Sequence, residues 1–202
     1  MWLKLIFTNA AAHEAFLSNI ALGKKRWLAK LKPRYRIMLP MPHLNIVLLE
    51  PEIPQNTGNI ARTCAATTAS LHLIKPLGFS IDDKHMKRAG LDYWDELDLH
   101  VYENLDEFYA KNPNAEIYYF SKKGHHIYSD VKYPDEVFLM FGRESVGLPE
   151  DLLKKNESHC LRMPMKEGLR SLNLSNTVAI ALYEVLRQHG FEGLEKEGHL
   201  GE

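Results

Sequence analysis

Six short apolar runs constrain this chain more than any other feature of it. They are Leu44–Leu49, Leu71–Lys75, Leu99–Tyr102, Ile117–Phe120, Val137–Phe141 and Cys160–Met163, separated by stretches of helical spacing. Runs of this length are too short for buried helices, and their near-continuous apolar character is that of strands covered on both faces. Pro42 and Pro51 bracket the first, while Pro76 and Gly78 close the second. Asn56-Thr57-Gly58-Asn59 offers turn and N-cap chemistry, after which Ile60, Cys64 and Thr67/Thr68 repeat at helical spacing. Asp82 caps a short basic helix that stops at Gly90, and Asn104 with Glu107 opens another in a capping-box pattern. A last helix from about Leu172 puts Leu174, Val178, Ala181, Leu182 and Val185 on one face and ends at Gly190. Strands alternating with helices predict an α/β fold with a mostly parallel six-stranded sheet and helices on both faces.

Charge divides the chain unevenly. Residues 1–40 hold eight of the 25 basic residues and one of the 26 acidic ones, Glu14. The rest therefore carries a net −8, although the whole chain sums to only −1. Residues 1–42 read as a basic N-terminal extension outside the fold, upstream of a start at Met41 or Met38. An organelle leader or a basic arm gripping nucleic acid are the other readings. Residues 43–202 read as one domain with a polar tail after Phe191. No stretch approaches the roughly 18 uninterrupted apolar residues of a membrane span. Cys64 and Cys160 lie far apart in sequence, without metal or disulfide-framework spacing, so two buried free thiols in a reducing, cytoplasmic setting are expected. Phosphate-loop, dinucleotide, nucleophile-elbow and metal-histidine patterns are all missing, and His125-His126 reads as a polar loop facing solvent or substrate.

Three clusters carry possible chemistry. The first, Pro54 to Arg62, sits at a strand-to-helix turn, where open parallel sheets bind ligands and helix N-termini favour anions. Asn59 and Arg62 are three apart, and an arginine fork suits a phosphate or a polarised hydroxyl. A plain Asn-Gly turn with a surface arginine reads equally well. The second cluster runs Leu139 to Pro149, where Gly142 at a strand end permits close backbone approach and Arg143-Glu144 follows at the rim. A self-satisfied ion pair in a βα loop is the plainer alternative. In the third, Met163-Pro164-Met165 precedes Ser171-Leu172-Asn173-Leu174-Ser175-Asn176, more small polar residues than one N-cap requires. Lys166, Glu167, Gly168 and Arg170 form a charged loop between them.

In order, Asn56-x-Gly58-Asn59-x-x-Arg62, Phe141-Gly142-x-Glu144-x-x-Gly147-Leu148-Pro149 and Met163-Pro164…Ser171-Leu172-Asn173-Leu174-Ser175-Asn176 resemble the motifs of the SPOUT (trefoil-knotted) RNA 2′-O-methyltransferases. Leu44-Asn45-Ile46-Val47-Leu48…Glu50-Pro51-Glu52-Ile53-Pro54 and Arg88-Ala89-Gly90-Leu91-Asp92-Tyr93 resemble its minimal bacterial branch, the tRNA (cytidine/uridine-34) 2′-O-methyltransferases. The resemblance spans residues 44 to about 190. It implies a deep C-terminal trefoil knot, against the general rule of unknotted connections. It also implies S-adenosyl-L-methionine as cofactor, a homodimer with Asn176, Tyr183 and Glu184 on the interface helix, and a tRNA anticodon stem-loop as substrate, with no metal and no membrane. By motif position, Phe120, Ser121, Met140, Gly142, Met163, Ser171, Leu172 and Ser175 fall to the cofactor, and Arg62, Glu144 and Asn173 to catalysis.

An ordinary arginine is a poor base, so Arg62 is expected to position and stabilise the developing alkoxide, with Glu144 orienting Arg62 or Arg143. Asn173 and Ser171 are expected to position ribose or methionine. RNA contacts are expected from Lys87, Arg88, Lys122, Lys123, Arg143 and Arg170, with Lys84 and Lys166 nearby and Tyr93 and Trp94 available for base stacking. Three alternatives stay open: methylation at another tRNA or rRNA position, a flavodoxin-like FMN electron carrier using Thr57-Gly58-Asn59 as its phosphate turn, and a non-catalytic RNA-binding relative, against which Arg62, Glu144 and Asn173 stand.

Overall fold

A computed structural model describes residues 42–80, 97–169 and 171–200. In chain order its elements are β1 (His43–Leu49), α1 (Pro54–Thr67), β2 (Ser70–Ile74), β3 (Leu99–Tyr102), α2 (Leu105–Lys111), β4 (Ile117–Phe120), β5 (His126–Ile127), β6 (Glu136–Phe141), α3 (Glu150–Lys155), β7 (Cys160–Arg162) and α4 (Leu174–Gln188). The sheet order is β3-β2-β1-β6-β4-β7-β5, and every pairing is parallel. The expected parallel sheet is therefore present, with seven strands rather than six. The additional strand contains His126, read from the sequence as loop; it pairs at the sheet edge with Leu161 and Arg162. The basic helix expected after Asp82 lies outside the described residues.

Both faces of the sheet are buried, and the strands alternate between them. Leu44, Ile46 and Leu48 of β1 join Leu139 and Phe141 of β6 under Ile60 and Cys64 of α1 and Val178, Leu182 and Val185 of α4. Val47, Leu49, Phe138 and Met140 face the other way, against Phe108 of α2 and Leu153 of α3. Each fully buried side chain of this size contributes about 1.5–3 kcal/mol, which is why short strands of such composition hold their register. Cys64 and Cys160 are free and buried, and burial pushes the Cys64 thiol up to about 12.

The start of α1 differs from the sequence expectation. The helix begins at Pro54, which sits in the first turn, where its missing N–H costs nothing, and Asn56 to Asn59 are already helical. Asn104 caps α2 as expected, its side chain accepting from Glu107 N–H at 2.9 Å.

One polar ladder crosses the apolar interior. His72 Nε2 meets Asn45 Oδ1 at 3.0 Å and His72 Nδ1 meets the Tyr102 hydroxyl at 2.9 Å. Asn45 already donates its amide to two carbonyls, so its oxygen accepts and His72 carries its proton on Nε2. Burial, reinforced by His100 stacked at 4.7 Å, pulls the His72 pKa down to about 4 from an ordinary 6.5. Unfolded chains protonate this imidazole below about pH 6.5 while the folded protein does not, so stability falls between pH 6.5 and 4. The loss attributable to His72 approaches about 3 kcal/mol at the acid end. Urea denaturation of wild type and His72→Gln at pH 7.5, 5.5 and 4.5 checks this: wild type loses the additional stability on acidification, and parallel profiles would refute it.

Candidate active site

The carboxyl ends of β4, β6 and β7 open into a cleft of about 1060 Å³. Open parallel sheets bind ligands at this edge. Phe120 and Phe141, stacked at 4.7 Å, line its apolar side together with Leu148, Met163 and Leu172. Ser121, Lys122 and Lys123 follow β4, and the 142–149 loop follows β6. Ser171, Asn173 and Leu174 bring in the start of α4.

The 142–149 loop is folded hard against itself. Gly147 N–H donates to Arg143 O at 2.8 Å, and Gly147 takes φ 77°. A Cβ on Gly142 would fall 2.2 Å from the Gly147 carbonyl carbon, so only glycine allows this closure. Arg143 and Glu144, whose plainer reading is an ion pair with each other, diverge. Arg143 Nε meets Glu50 Oε2 at 3.2 Å. The Glu144 carboxylate instead holds the segment leading into α1, accepting the backbone N–H of Glu52 at 2.9 Å and of Ile53 at 3.3 Å. Thr57, Gly58 and Asn59 are helical, so they do not form the phosphate turn on which a flavodoxin-like reading depended.

From Glu144 a hydrogen-bonded frame crosses the cleft mouth. Asn56 Nδ2 donates to Glu144 Oε1 at 3.0 Å, and Asn56 Oδ1 accepts from Asn173 Nδ2 at 2.9 Å. Asn173 Oδ1 then caps α4, accepting Ser175 N–H at 2.9 Å, the Ser175 hydroxyl at 2.7 Å and Asn176 N–H at 3.4 Å. One residue from each of the three sequence clusters therefore enters a single chain of contacts.

The remaining expected positions separate cleanly. Phe120, Ser121, Gly142, Met163, Ser171 and Leu172 line the cleft, as do Glu144, Asn173, Lys122, Lys123 and Arg143. Met140 does not: it is fully buried on the opposite face of the sheet, and its neighbour Phe141 faces the cleft instead. Ser175 touches Asn173 from outside the lining. Arg62 is exposed on α1 and does not line the cleft. Lys87, Arg88 and Arg170 lie outside the described residues, as do Lys84, Tyr93 and Trp94. The Lys123 ammonium is held by Glu150 at 2.6 Å, which keeps that carboxyl below its ordinary range. Sequence reasoning left Asn56 out of its catalytic set, although its place in the first cluster was visible. Phe141 and Leu148 carried only the signal of strand alternation and a Gly-Leu-Pro turn. Among the described residues no group of histidine, cysteine and carboxylate side chains could hold a metal.

The profile of the SpoU rRNA methylase family matches residues 43–183, a span that contains every element of the cleft. The chain belongs to this family. A protein from Listeria monocytogenes is 59% identical over 160 residues, 78% of this chain and 94% of that protein. The tRNA (cytidine(34)-2′-O)-methyltransferase of Burkholderia ambifaria is 47% identical over 153 residues, 74% of this chain and 97% of that one. A solved structure concerned with 2-OH methylation of C/U34 on tRNA superposes with TM-score 0.69 at 43% identity, over 74% of this chain and 99% of that one. The AdoMet complex of AviRb from Streptomyces viridochromogenes, 22% identical, shares the fold at TM-score 0.62, over 76% of this chain and 60% of that one.

The lining of the cleft would suit a nucleoside. Its apolar walls at Phe120, Leu148, Met163 and Leu172 match a nucleoside base, and Ser121, Ser171 and Asn173 supply polar edges.

Proposed function

We propose that this chain transfers a methyl group from S-adenosyl-L-methionine to the ribose 2′-hydroxyl of the wobble nucleotide, position 34, of tRNA, with cytidine or a modified uridine as acceptor. The observation that carries this reading is the Glu144–Asn56–Asn173 frame, which joins all three motif segments at the mouth of one cleft. The names of close relatives at 47% and 43% identity supply the nucleotide. In this reading Phe120, Ser121, Gly142, Met163, Ser171 and Leu172 hold the cofactor, whose sulfonium supplies an electrophilic methyl group. Methyl transfer then needs the acceptor oxygen in line with that methyl, and orientation of this kind is worth up to about 7–11 kcal/mol.

The protein's own part is to place the ribose and bear the charge that grows on its oxygen. Asn173 and Asn56 stand at the mouth with fixed amide directions, because Glu144 and the α4 terminus define which way each amide faces. Arg62, exposed on α1, meets the RNA from outside this chain's own cleft and stabilises the developing alkoxide. Lys122, Lys123 and Arg143 at the rim contact RNA phosphates, and the reading assigns RNA contact to Lys87, Arg88 and Arg170 as well. The reading includes a homodimer: Ile180 and Tyr183, large apolar side chains of α4, are exposed, as a face covered by a second copy would be. It also includes the knot. β7 lies between β4 and β5, both earlier in the chain, and Gly124 is pressed so closely on Leu161 that a Cβ would fall 2.6 Å from its carbonyl carbon. In this reading the domain acts in the cytoplasm.

Transfer of labelled methyl from the cofactor to tRNA tests the reaction type. A 2′-O-methyl ribose has no free hydroxyl to attack the adjacent phosphate, so the label must survive alkali in a dinucleotide. Arg62→Ala should cut turnover about 10²–10³-fold, the cost of losing one preorganised oxyanion donor, while calorimetric cofactor affinity stays within twofold. Full activity of that variant would remove Arg62 from the reaction.

A further inference from the structure

Glu52 is gripped from several sides, although it does not line the cleft and belongs to none of the expected functional positions. Its backbone N–H donates to Glu144 Oε2 at 2.9 Å. Its own carboxylate accepts the Ser145 backbone N–H at 2.9 Å and the Ser145 hydroxyl at 2.8 Å. These contacts, with Arg143 close by, hold that carboxyl below its ordinary range. Gly78 supports it from behind: a Cβ there would fall 2.5 Å from the Glu52 carbonyl oxygen, and Gly78 N–H donates to Pro51 O at 2.9 Å. Two residues earlier Glu50 takes φ 52°, the left-handed region, and pairs with Arg143 at 3.2 Å. A non-glycine residue persists in that conformation only where its surroundings over-determine it.

The two segments therefore interlock. The carboxylate of residue 144 holds the backbone of residues 52 and 53, while the carboxylate of residue 52 holds the backbone of residue 145. The second grip fixes the peptide next to Glu144, and so the direction in which Glu144 meets Asn56.

We propose that Glu52 is a positioning residue for methyl transfer, its grip on Ser145 keeping the 142–149 loop in the register that aims Glu144 at Asn56 and, through Asn56, at Asn173. This rests on the methyl-transfer reading above. Glu52→Gln retains an acceptor for the Ser145 N–H and an amide that donates to its hydroxyl, whereas Glu52→Ala retains neither.

The test uses the full chain, S-adenosyl-L-methionine carrying a labelled methyl group, and unfractionated tRNA from a strain lacking this protein. Turnover is expressed per cofactor site counted by calorimetry, and amide hydrogen exchange is followed over residues 142–149. Glu52→Ala should lower kcat about 10- to 100-fold with KM for tRNA within threefold, the cost of misplacing a reacting group by an ångström or less. Exchange in the loop should rise, and Glu52→Gln should recover kcat to within threefold of wild type. Overturning results are unchanged kcat in Glu52→Ala, loop exchange equal to wild type, or a kcat loss of the same size in Glu52→Gln. A wild-type protein that binds cofactor but methylates no tRNA defeats the methyl-transfer reading itself, and the positioning role with it; the wild-type control separates that outcome from the others.

Discussion

Replacing Glu144 with alanine should reduce methyl transfer by about 10² or more and destabilise the domain. The side chain accepts three hydrogen bonds, from Glu52 N–H, Ile53 N–H and the Asn56 amide. Hydrogen bonds to a charged acceptor are worth about 1.5–3 kcal/mol each where they are shielded from water, and these are only partly shielded. Two of the donors are the backbone N–H groups of the residues that lead into α1, so alanine leaves both without this acceptor. The third, Asn56, loses the contact that sets its amide direction, and Asn173 is oriented by Asn56. A melting temperature lowered by several degrees together with the activity loss is the expected pair of results. Glu144→Gln, with one accepting oxygen, should fall between. Retained activity in Glu144→Ala would mean that the frame does not serve the reaction.

Gly142→Ala should abolish cofactor binding in practice, lowering affinity about 100-fold or more, close to 3 kcal/mol. The added methyl would lie 2.2 Å from the Gly147 carbonyl carbon, 2.3 Å from Leu148 N and 2.4 Å from Gly147 O, all backbone atoms. No rotamer change relieves such a clash, so the loop must move, and that loop forms one wall of the cleft. The sheet beneath is untouched, so circular dichroism should stay that of the wild type while calorimetry with S-adenosyl-L-methionine goes flat. Wild-type affinity in this variant would show that the loop opens easily or that the cofactor sits elsewhere.

Local patterns made most of the architecture legible. The strands announce themselves because a central parallel strand is apolar on both faces, and β1, β4 and β6 each satisfy that along nearly their whole length, whereas β2 carries Ser70 and His72 on one face. β5 carries no such signal. His126 and Ile127 are both exposed, and their extended form comes from pairing with β7, more than thirty residues later. The start of α1 was misread for a related reason. Asn-Gly turn chemistry is a local preference, and it yields to a proline in the first turn and to a carboxylate 92 residues away that holds the segment leading into the helix.

At the site, residue types and their order carried more than adjacency did. Arg143 and Glu144 look like an ion pair because they are neighbours, yet extended backbone sends neighbouring side chains to opposite sides, one toward Glu50 and one toward α1. The same alternation places Phe141 at the cleft and Met140 behind it. Glu52 stands in the sequence only as part of the Glu50–Pro54 run, with no role attached, since its contacts with Ser145 exist only once two distant segments have met.

Mass spectrometry of tRNA decides the central claim most directly. Undermodified tRNA from a strain lacking this protein is incubated with the full chain and S-adenosyl-L-methionine, digested, and its fragments sequenced. The expected product is one additional methyl group on the ribose of nucleotide 34, absent when Glu144→Ala replaces wild type. A methyl group on another nucleotide, on a base rather than a ribose, or on no tRNA at all would contradict the account.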